Sequence, residues 1–382
     1  MRYNLSDICD YAKGKIDVVA LDEDTYISTE NMMPNKGGIT KASSLPTVAQ
    51  TQAFSTGDVL VSNIRPYFKK IWFAEYDGGC SNDVLVFRAK DGVSKRFLYY
   101  VLADDTFFDY SMATSKGTKM PRGDKTAIMK YEVPRFTYEE QVKIAGILEV
   151  LDRKIQLNTE INENLEEQLL AYYRELFVSN AKSTWKAGTV ADLGKVVGGS
   201  TPSKKKDEYY TEHGIAWITP KDLSNDHSKF ISHGEIDITE LGLANSSAVR
   251  MPPGTVLFSS RAPIGYIAIA DGEVTTNQGF KSVVPFGEIG TAFVYCFLKE
   301  NLTIIENMAS GSTFKEVSGS TMKIVPAIIP DSGTLSVFRD YADALFDQQR
   351  NNESENRQLS DIRDSLLPRL MSGELDVSDL DL

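Results

Sequence analysis

Three stretches of the chain concentrate positive charge: "IRPYFKK" (64–70), "SKGTKMPRGDK" (115–125) and "STPSKKK" (200–206). The first comes just after "GDVLVSN" (57–63). That segment is rewritten 197 residues later as "GTVLFSS" (254–260), and each copy has an arginine soon after, Arg65 and Arg261. Clustered lysine and arginine can hold a polyanion, and such binding needs a local patch rather than a basic total. Each cluster alone is equally compatible with a solvated lysine loop. The net charge of −12 does not oppose a polyanion partner, because the acidity is localised. Residues 139–180 hold nine acidic and four basic residues, and residues 324–382 hold twelve and five. These two segments account for the whole excess, and the rest of the chain is neutral overall.

Bond-breaking chemistry has no foothold in the motifs. There is no GxxxxGK[ST] phosphate loop, no GxSxG elbow and no HExxH pair. No Asn-Pro-Pro-aromatic stretch of the kind that grips an amino group for methyl transfer is present; "MPPG" (251–254) lacks the Asn or Asp. His213, His227 and His233 are spaced by fourteen and six residues with no cysteine beside them, which does not suit a compact metal site. Adjacent glycines in "VVGGSTPSKKK" read as a plain turn. Cys9, Cys80 and Cys296 form no CxxC pair, so buried free thiols in a reduced, cytoplasmic compartment are expected. The N-terminus has no apolar signal core, so export is not expected.

At 382 residues the chain is comfortable for two domains. The repeat extends well beyond the opening strand. "SMATSKGT" (111–118) resembles "NMASGST" (307–313), "MKYEVP" (129–134) resembles "MKIVPAIIP" (322–330), and "YISTENM" (26–32) matches the place of "WITPKDL" (217–223). Matches in one order at nearly constant offset indicate a two-fold duplication rather than a solenoid. The front of each half is rich in short strand signals such as "DVLVFRA" (83–89) and "GYIAIA" (265–270), with a helical segment over 94–111. A mixed α/β domain with a twisted, mainly antiparallel sheet is predicted for each front.

Each half closes with a helix. Thr137 and Glu140 fit a capping box at the start of the first. Its apolar stripe runs Ile144, Leu148, Leu151, Ile155, Asn158, Asn162, Leu165, Leu169 in steps of four and three. The second helix repeats the stripe through Leu345, Asn352, Asn356, Leu359 and Leu366, and Pro368 is expected to end or kink it. Asparagine occupies the centre of both stripes, a polar choice that selects register and orientation. A parallel pair would also match Asn with Asn. The duplication favours antiparallel, with two amphipathic helices in separate cores as the alternative.

Two mixed-sheet domains, each followed by a long seam-bearing helix, resemble the specificity subunit of type I restriction–modification systems. "EEQVKIAGILEVLDRKIQLNTEINENLEEQLLAYYRELF" (139–177) resembles that family's central helix, and "RDSLLPRLMSGELDV" (363–377) its C-terminal one. "GGSTPSKKKDEYYTEHGIAWITPKDL" (198–223), "RAPIGYIAIA" (261–270) and "TTNQGF" (275–280) resemble recognition-domain segments. The first domain keeps the plan in "SNIRPYFKKIWFAEYDGGCSNDVLVF" (62–87), with Ser81-Asn82-Asp83 in place of an Asn-Gln pair. The resemblance implies target-recognition domains at 1–136 and 181–330. The conserved-type helices would run at 137–180 and 331–382, as an antiparallel coiled coil with pseudo-two-fold symmetry.

The resemblance further implies a non-catalytic reader of a bipartite double-stranded DNA target, with the helices as a ruler between half-sites. Two methyltransferase subunits, carrying S-adenosylmethionine, and ATP- and Mg-dependent restriction/translocase subunits would be its partners. No cofactor, metal or membrane is implied for the chain itself. The DNA contacts expected on this basis are Asn31, Ser62, Asn63, Arg65, Lys69, Asn82, Lys116, Thr118, Lys119 and Arg122 in the first domain. In the second they are Ser200, Thr201, Lys204, Lys221, Ser260, Arg261, Asn277, Gln278, Lys281, Thr313 and Lys315. Arginine can make two hydrogen bonds to guanine, Asn or Gln two to adenine, and lysine holds phosphates. A stand-alone two-headed DNA-binding regulator and a scaffold for protein or glycan remain as alternatives.

Overall fold

A computed structural model describes residues 2–226, 228–311 and 315–378. The chain divides into two compact units, Met1–Gln156 with Arg357–Leu382, and Leu157–Asn356.

In the first unit an antiparallel sheet runs in the order Cys9–Tyr11, Val84–Ala89, Val59–Ser62, Ile71–Phe73. A second sheet runs Lys15–Asp17, Gln50–Phe54, Gly78–Cys80, Tyr26–Ile27, with its last pair parallel. The strand Val59–Ser62 is buried on both faces, which is why Val59, Leu60 and Val61 are apolar without alternation. Val59 and Val61 join Leu85 and Phe87 in a core covered by the helices Lys95–Ala103 and Asp105–Ala113. Leu60 turns to the opposite core with Ile27, Phe54 and Trp72. Residues 94–111 read as one helical segment in the sequence, but the structure breaks it at Asp104. That residue is extended, and its carboxylate accepts from Thr106 N at 2.8 Å to start a new helix.

The second unit repeats the order of elements. Its five-stranded sheet runs Gly194–Gly198, Lys281–Pro285, Val256–Ser260, Ile264–Ala270, Phe230–Ile231, the last pair parallel. Trp217–Ile218 pairs in parallel with Thr275–Thr276, as Tyr26–Ile27 does with Gly78–Cys80. Lys186–Thr189 pairs with Pro326–Ile329, as Arg2–Asn4 does with Glu132–Pro134. Thr291–Glu300 and Leu302–Asn307 supply the helices.

The long helices are Tyr138–Arg174 and Ser332–Ser372. Thr137 N donates to Glu140 Oε2 at 2.6 Å and Glu140 N to Thr137 Oγ1 at 3.2 Å, a reciprocal cap on the first turn. Inside the second unit Asn158 Nδ2 donates to Asn356 Oδ1 at 2.9 Å, and Asn352 Nδ2 to Asn162 Oδ1 at 2.8 Å. Residue numbers rise on one helix as their partners fall on the other, so the pair is antiparallel here. The same holds in the first unit, where Arg363 Nη1 meets Asp152 Oδ1 at 2.9 Å and Ile144 and Leu148 share a core with Leu367, Leu370 and Met371. Leu169 is fully buried against Phe338, Ala342 and Phe346 in the second unit's core. Leu151, Ile155, Leu165, Leu345, Leu359 and Leu366 are half-buried along the stripe.

Of the two outcomes expected at Pro368, an end or a kink, the end does not occur; the helix continues to Ser372. Proline there removes one backbone donor and costs about 3 kcal/mol in an isolated helix. Burial of Leu367, Leu370 and Met371 on the surrounding turns offsets that cost.

Cys9, Cys80 and Cys296 are free and buried. Among the described residues no helix is long and apolar enough to cross a membrane.

Candidate nucleic-acid interface

In the first unit, three segments distant in sequence are zipped together by backbone hydrogen bonds where the strand Val59–Ser62 ends. Asn63 N donates to Asp83 O at 2.8 Å, Arg65 N to Pro121 O at 2.8 Å, and Lys116 and Arg122 exchange both of their backbone bonds at 2.9 and 3.0 Å. Gly123 makes this approach possible. A Cβ there would lie 2.8 Å from both Asn63 Oδ1 and Ser111 Oγ and 2.7 Å from Ile128 Cδ1.

The side chains expected to contact DNA divide into two groups. Asn31 is 4% exposed, and its amide is saturated: Oδ1 accepts from Ser28 N and Oγ, while Nδ2 donates to the carbonyls of Tyr26 and Thr40. Ser62 is buried with its hydroxyl on Ile64 O, and Asn63 is buried beneath the loops. These three hold the loops. The outward groups are Arg65, Lys69, Asn82, Lys116, Thr118, Lys119 and Arg122, with Arg65 and Lys69 half-buried and the rest exposed.

Three carboxylates balance these cations. Lys116 pairs with Asp124 at 2.6 Å, Arg122 with Asp83 at 3.1 Å and Lys69 with Asp105 at 2.8 Å. The Lys116 ammonium, helped by the backbone amides of Ala127 and Thr126, holds the Asp124 carboxyl down at about 2. Pairs of this partly exposed kind contribute little in water.

The second unit repeats this arrangement. Ser260 N donates to Gly279 O at 2.7 Å, Val317 N to Ser260 O at 3.0 Å and Ser200 N to Thr276 O at 2.9 Å, so four segments meet at the end of Val256–Ser260. Gly199 is required for the contact, because a Cβ there would sit 2.0 Å from Asn277 O. The Thr201 hydroxyl donates to Gln278 Oε1. Asn277 Oδ1 accepts from Gly279 N at 2.8 Å and shapes the turn. Lys281 Nζ lies 3.4 Å from Glu316 Oε1, 3.5 Å from Ser260 Oγ and 3.3 Å from Gln278 O, and Arg261 Nη1 lies 3.7 Å from Glu316 Oε2. Thr201, Ser260, Arg261, Gln278 and Lys281 therefore form one cluster around Glu316.

Ser260 is fully buried and Ser200 half-buried, while Lys204 and Lys315 are exposed. Lys221 leaves the cluster to pair with Glu235 at 2.6 Å. Thr313 and His227 lie outside the described residues.

The architecture built this far has counterparts. The model of the "Type I restriction modification DNA specificity domain" matches the chain twice, over residues 1–167 and 182–361. The chain belongs to the type I restriction–modification DNA specificity family. The specificity subunit of the type I restriction enzyme MjaIX from Methanocaldococcus jannaschii is 37% identical over 47% of this chain, and the match spans 42% of that relative's length. The HindI specificity subunit of Haemophilus influenzae is 25% identical over 98% of this chain and 99% of its own. The crystal structure of the S subunit from M. genitalium shares the fold at a TM-score of 0.55, with 17% identity over 99% of this chain and 96% of that one.

Several residues of the loops in this member of the specificity family escaped the sequence reading. Lys36 joins Lys69 on Asp105 at 2.9 Å, and Glu316 organises the second cluster. Neither has a local signal, because its partners are remote in sequence. Tyr67 and Phe68 were visible inside "IRPYFKK" but only their lysine neighbours drew notice; both rings are exposed.

Proposed function

We propose that the chain reads a bipartite duplex DNA target, with recognition domain 1–136 on one half-site and 181–330 on the other. The observation that supports this is the repeated loop cluster. In each unit a doubly buried strand ends in zipped loops that present arginine, lysine and amide side chains outward. Arg65, Asn82 and Arg122 in one unit, and Arg261 and Gln278 in the other, are suited to base edges, with Lys116, Lys119, Lys204 and Lys315 on phosphates.

The long helices serve protein partners instead. Val142, Val150, Leu157 and Ile161 are exposed on Tyr138–Arg174 among its acidic residues. That mixture suits a protein surface and repels a polyanion. Two methyltransferase subunits bearing S-adenosylmethionine, and ATP- and Mg-dependent restriction/translocase subunits, dock on this chain, which itself supplies no cofactor. Replacing residues 1–136 with another first domain, co-expressing the hybrid with its methyltransferase and mapping methylated sites across the host genome tests the reading. One half-site should change; a change in both halves defeats it. Tight binding of one operator by the isolated chain would favour a stand-alone regulator.

A further inference from the structure

The two loop clusters differ where their hairpins turn. In the second unit the strands Val256–Ser260 and Ile264–Ala270 are joined by residues 261–263 alone. In the first unit Val59–Ser62 and Ile71–Phe73 are joined by residues 63–70, a longer loop carrying a single helical turn, Pro66–Phe68. Tyr67 is 48% and Phe68 37% exposed, with ring centroids 4.7 Å apart. Two adjacent aromatic rings in water are costly unless something covers them.

The turn is also rigid. Arg65 and Lys69, on either side of it, both hold left-handed backbone conformations, with φ of 51° and 50°. Non-glycine residues rarely adopt these, and they persist only when their surroundings fix them. Here Arg65 N is fixed on Pro121 O, and the carbonyls of Phe68 and Lys69 accept from Asn35 N and Lys36 N at 2.8 and 2.9 Å. Arg65 precedes the two rings in the chain and Lys69 and Lys70 follow them, with Lys36 held beside Lys69 by its backbone bond. Lys70 Nζ lies 5.8 Å from the Phe68 centroid and donates to Thr29 O at 2.7 Å, and Arg65 Nε is buried with no hydrogen-bond partner among the described residues. Asp105 is the carboxylate that answers Lys36 and Lys69.

We infer that Tyr67 and Phe68 are specificity-determining contacts of the first domain, pressing apolar ring surface onto the bases of its half-site while the neighbouring lysines hold the phosphates. The charge around the rings chooses duplex DNA as what covers them. A rigid aromatic pair loses little entropy on contact, and apolar side chains read bases through thymine methyl groups and deformable steps. The second domain has Ala262 and Pro263 at the corresponding turn and makes no such contact. This inference rests on the bipartite reading proposed above.

The test uses the full chain with its methyltransferase, on duplexes carrying the motif found by methylation mapping. Tyr67→Ala/Phe68→Ala should weaken binding roughly tenfold or more on the intact motif. Scrambling the half-site assigned to the first domain should abolish the difference between wild type and variant, and scrambling the other half-site should leave it. The dependence of binding on salt should be unchanged, because no charge is removed. Tyr67→Phe/Phe68→Tyr, which keeps both rings, should bind as wild type. Equal affinity of the alanine variant and wild type overturns the inference alone. So does a loss that persists on the scrambled half-site, or one traced to failed methyltransferase assembly. Absence of any bipartite motif for wild type overturns the reading beneath it.

Discussion

The buried ion pair that anchors the second recognition domain to its helices should be asymmetric when broken. Lys229 has a side chain only 8% exposed; its ammonium reaches Glu166 Oε2 and Gln349 Oε1 and lies 4.9 and 4.8 Å from the ring centroids of Tyr295 and Phe346. Glu166 has further support, from Lys299 Nζ at 2.6 Å and the Tyr295 hydroxyl at 2.9 Å. Neutralising the carboxylate therefore leaves a buried cation with neutral acceptors in place of its counter-charge, whereas removing the cation leaves a carboxylate still paired with Lys299. Glu166→Gln should cost about 3–5 kcal/mol and Lys229→Met about 1–3 kcal/mol. The double variant should cost about 1–3 kcal/mol less than the two summed.

Acidification gives a second handle on this pair. Burial pushes the Glu166 carboxyl upward, but the ammonium groups of Lys229 and Lys299 outweigh it and hold the group below its ordinary range. A lowered folded pKa contributes stability that is complete above the unfolded value of about 4.3 and is lost as pH falls through the folded one. The deficit of Glu166→Gln should thus shrink below about pH 4. Urea unfolding followed by hydrogen exchange in peptides from residues 157–356 isolates this unit. Equal costs for the two single variants, or additivity within about 0.5 kcal/mol, would refute the argument.

Arg261→Ala should weaken specific DNA binding by about 1–3 kcal/mol with the fold intact, since among the described residues its charged group makes just the long contact to Glu316; gel shifts on motif and scrambled duplexes separate base reading from a uniform phosphate loss. Burial pushes the thiols of Cys9 and Cys80 up to about 12, and that of Cys296 well above its ordinary value. Ellman's reagent at pH 8 should therefore find no reactive thiol in the folded chain and three in guanidinium. Pro368→Ala restores a helical donor without touching the buried Leu367 and Leu370, and should raise the urea midpoint of the first unit by an amount worth about 1–3 kcal/mol.

The helices were the most legible part of the chain, because a seam of threes and fours is a local signal. Asn158 and Asn162 stand out in it by type alone, and each hydrogen-bonds an asparagine of the other helix. The reach past Pro368 was not legible, since it depends on a core that the sequence does not display. Loop residues were harder still. Asn31 and Arg65 look alike in sequence, as polar residues in turns, yet one has every amide atom occupied inside the fold and the other sits half-buried in a left-handed turn, its Nε making no hydrogen bond among the described residues. Lys229 reads as an ordinary surface lysine of "HSKF" until the helix carboxylates that surround it are in place. Partners remote in sequence decide each of these cases, and periodicity carries no information about them.

The likeness of "GDVLVSN" and "GTVLFSS" has a physical source in that contrast. Both strands are buried on two faces, so almost every side chain must be apolar and of fitting size, and few sequences qualify. The loops beyond them meet no such demand. They must only be fastened at a few backbone positions, by Asn63, Arg65 and Gly123 in one unit and Ser260, Gly199 and Val317 in the other. Between those fastenings, length and side chains are free to differ, and they do: residues 63–70 carry an aromatic pair where residues 261–263 carry none. A frame that constrains its strands and releases its loops lets one fold, written twice, present two different surfaces, as the bipartite reading proposed above would require.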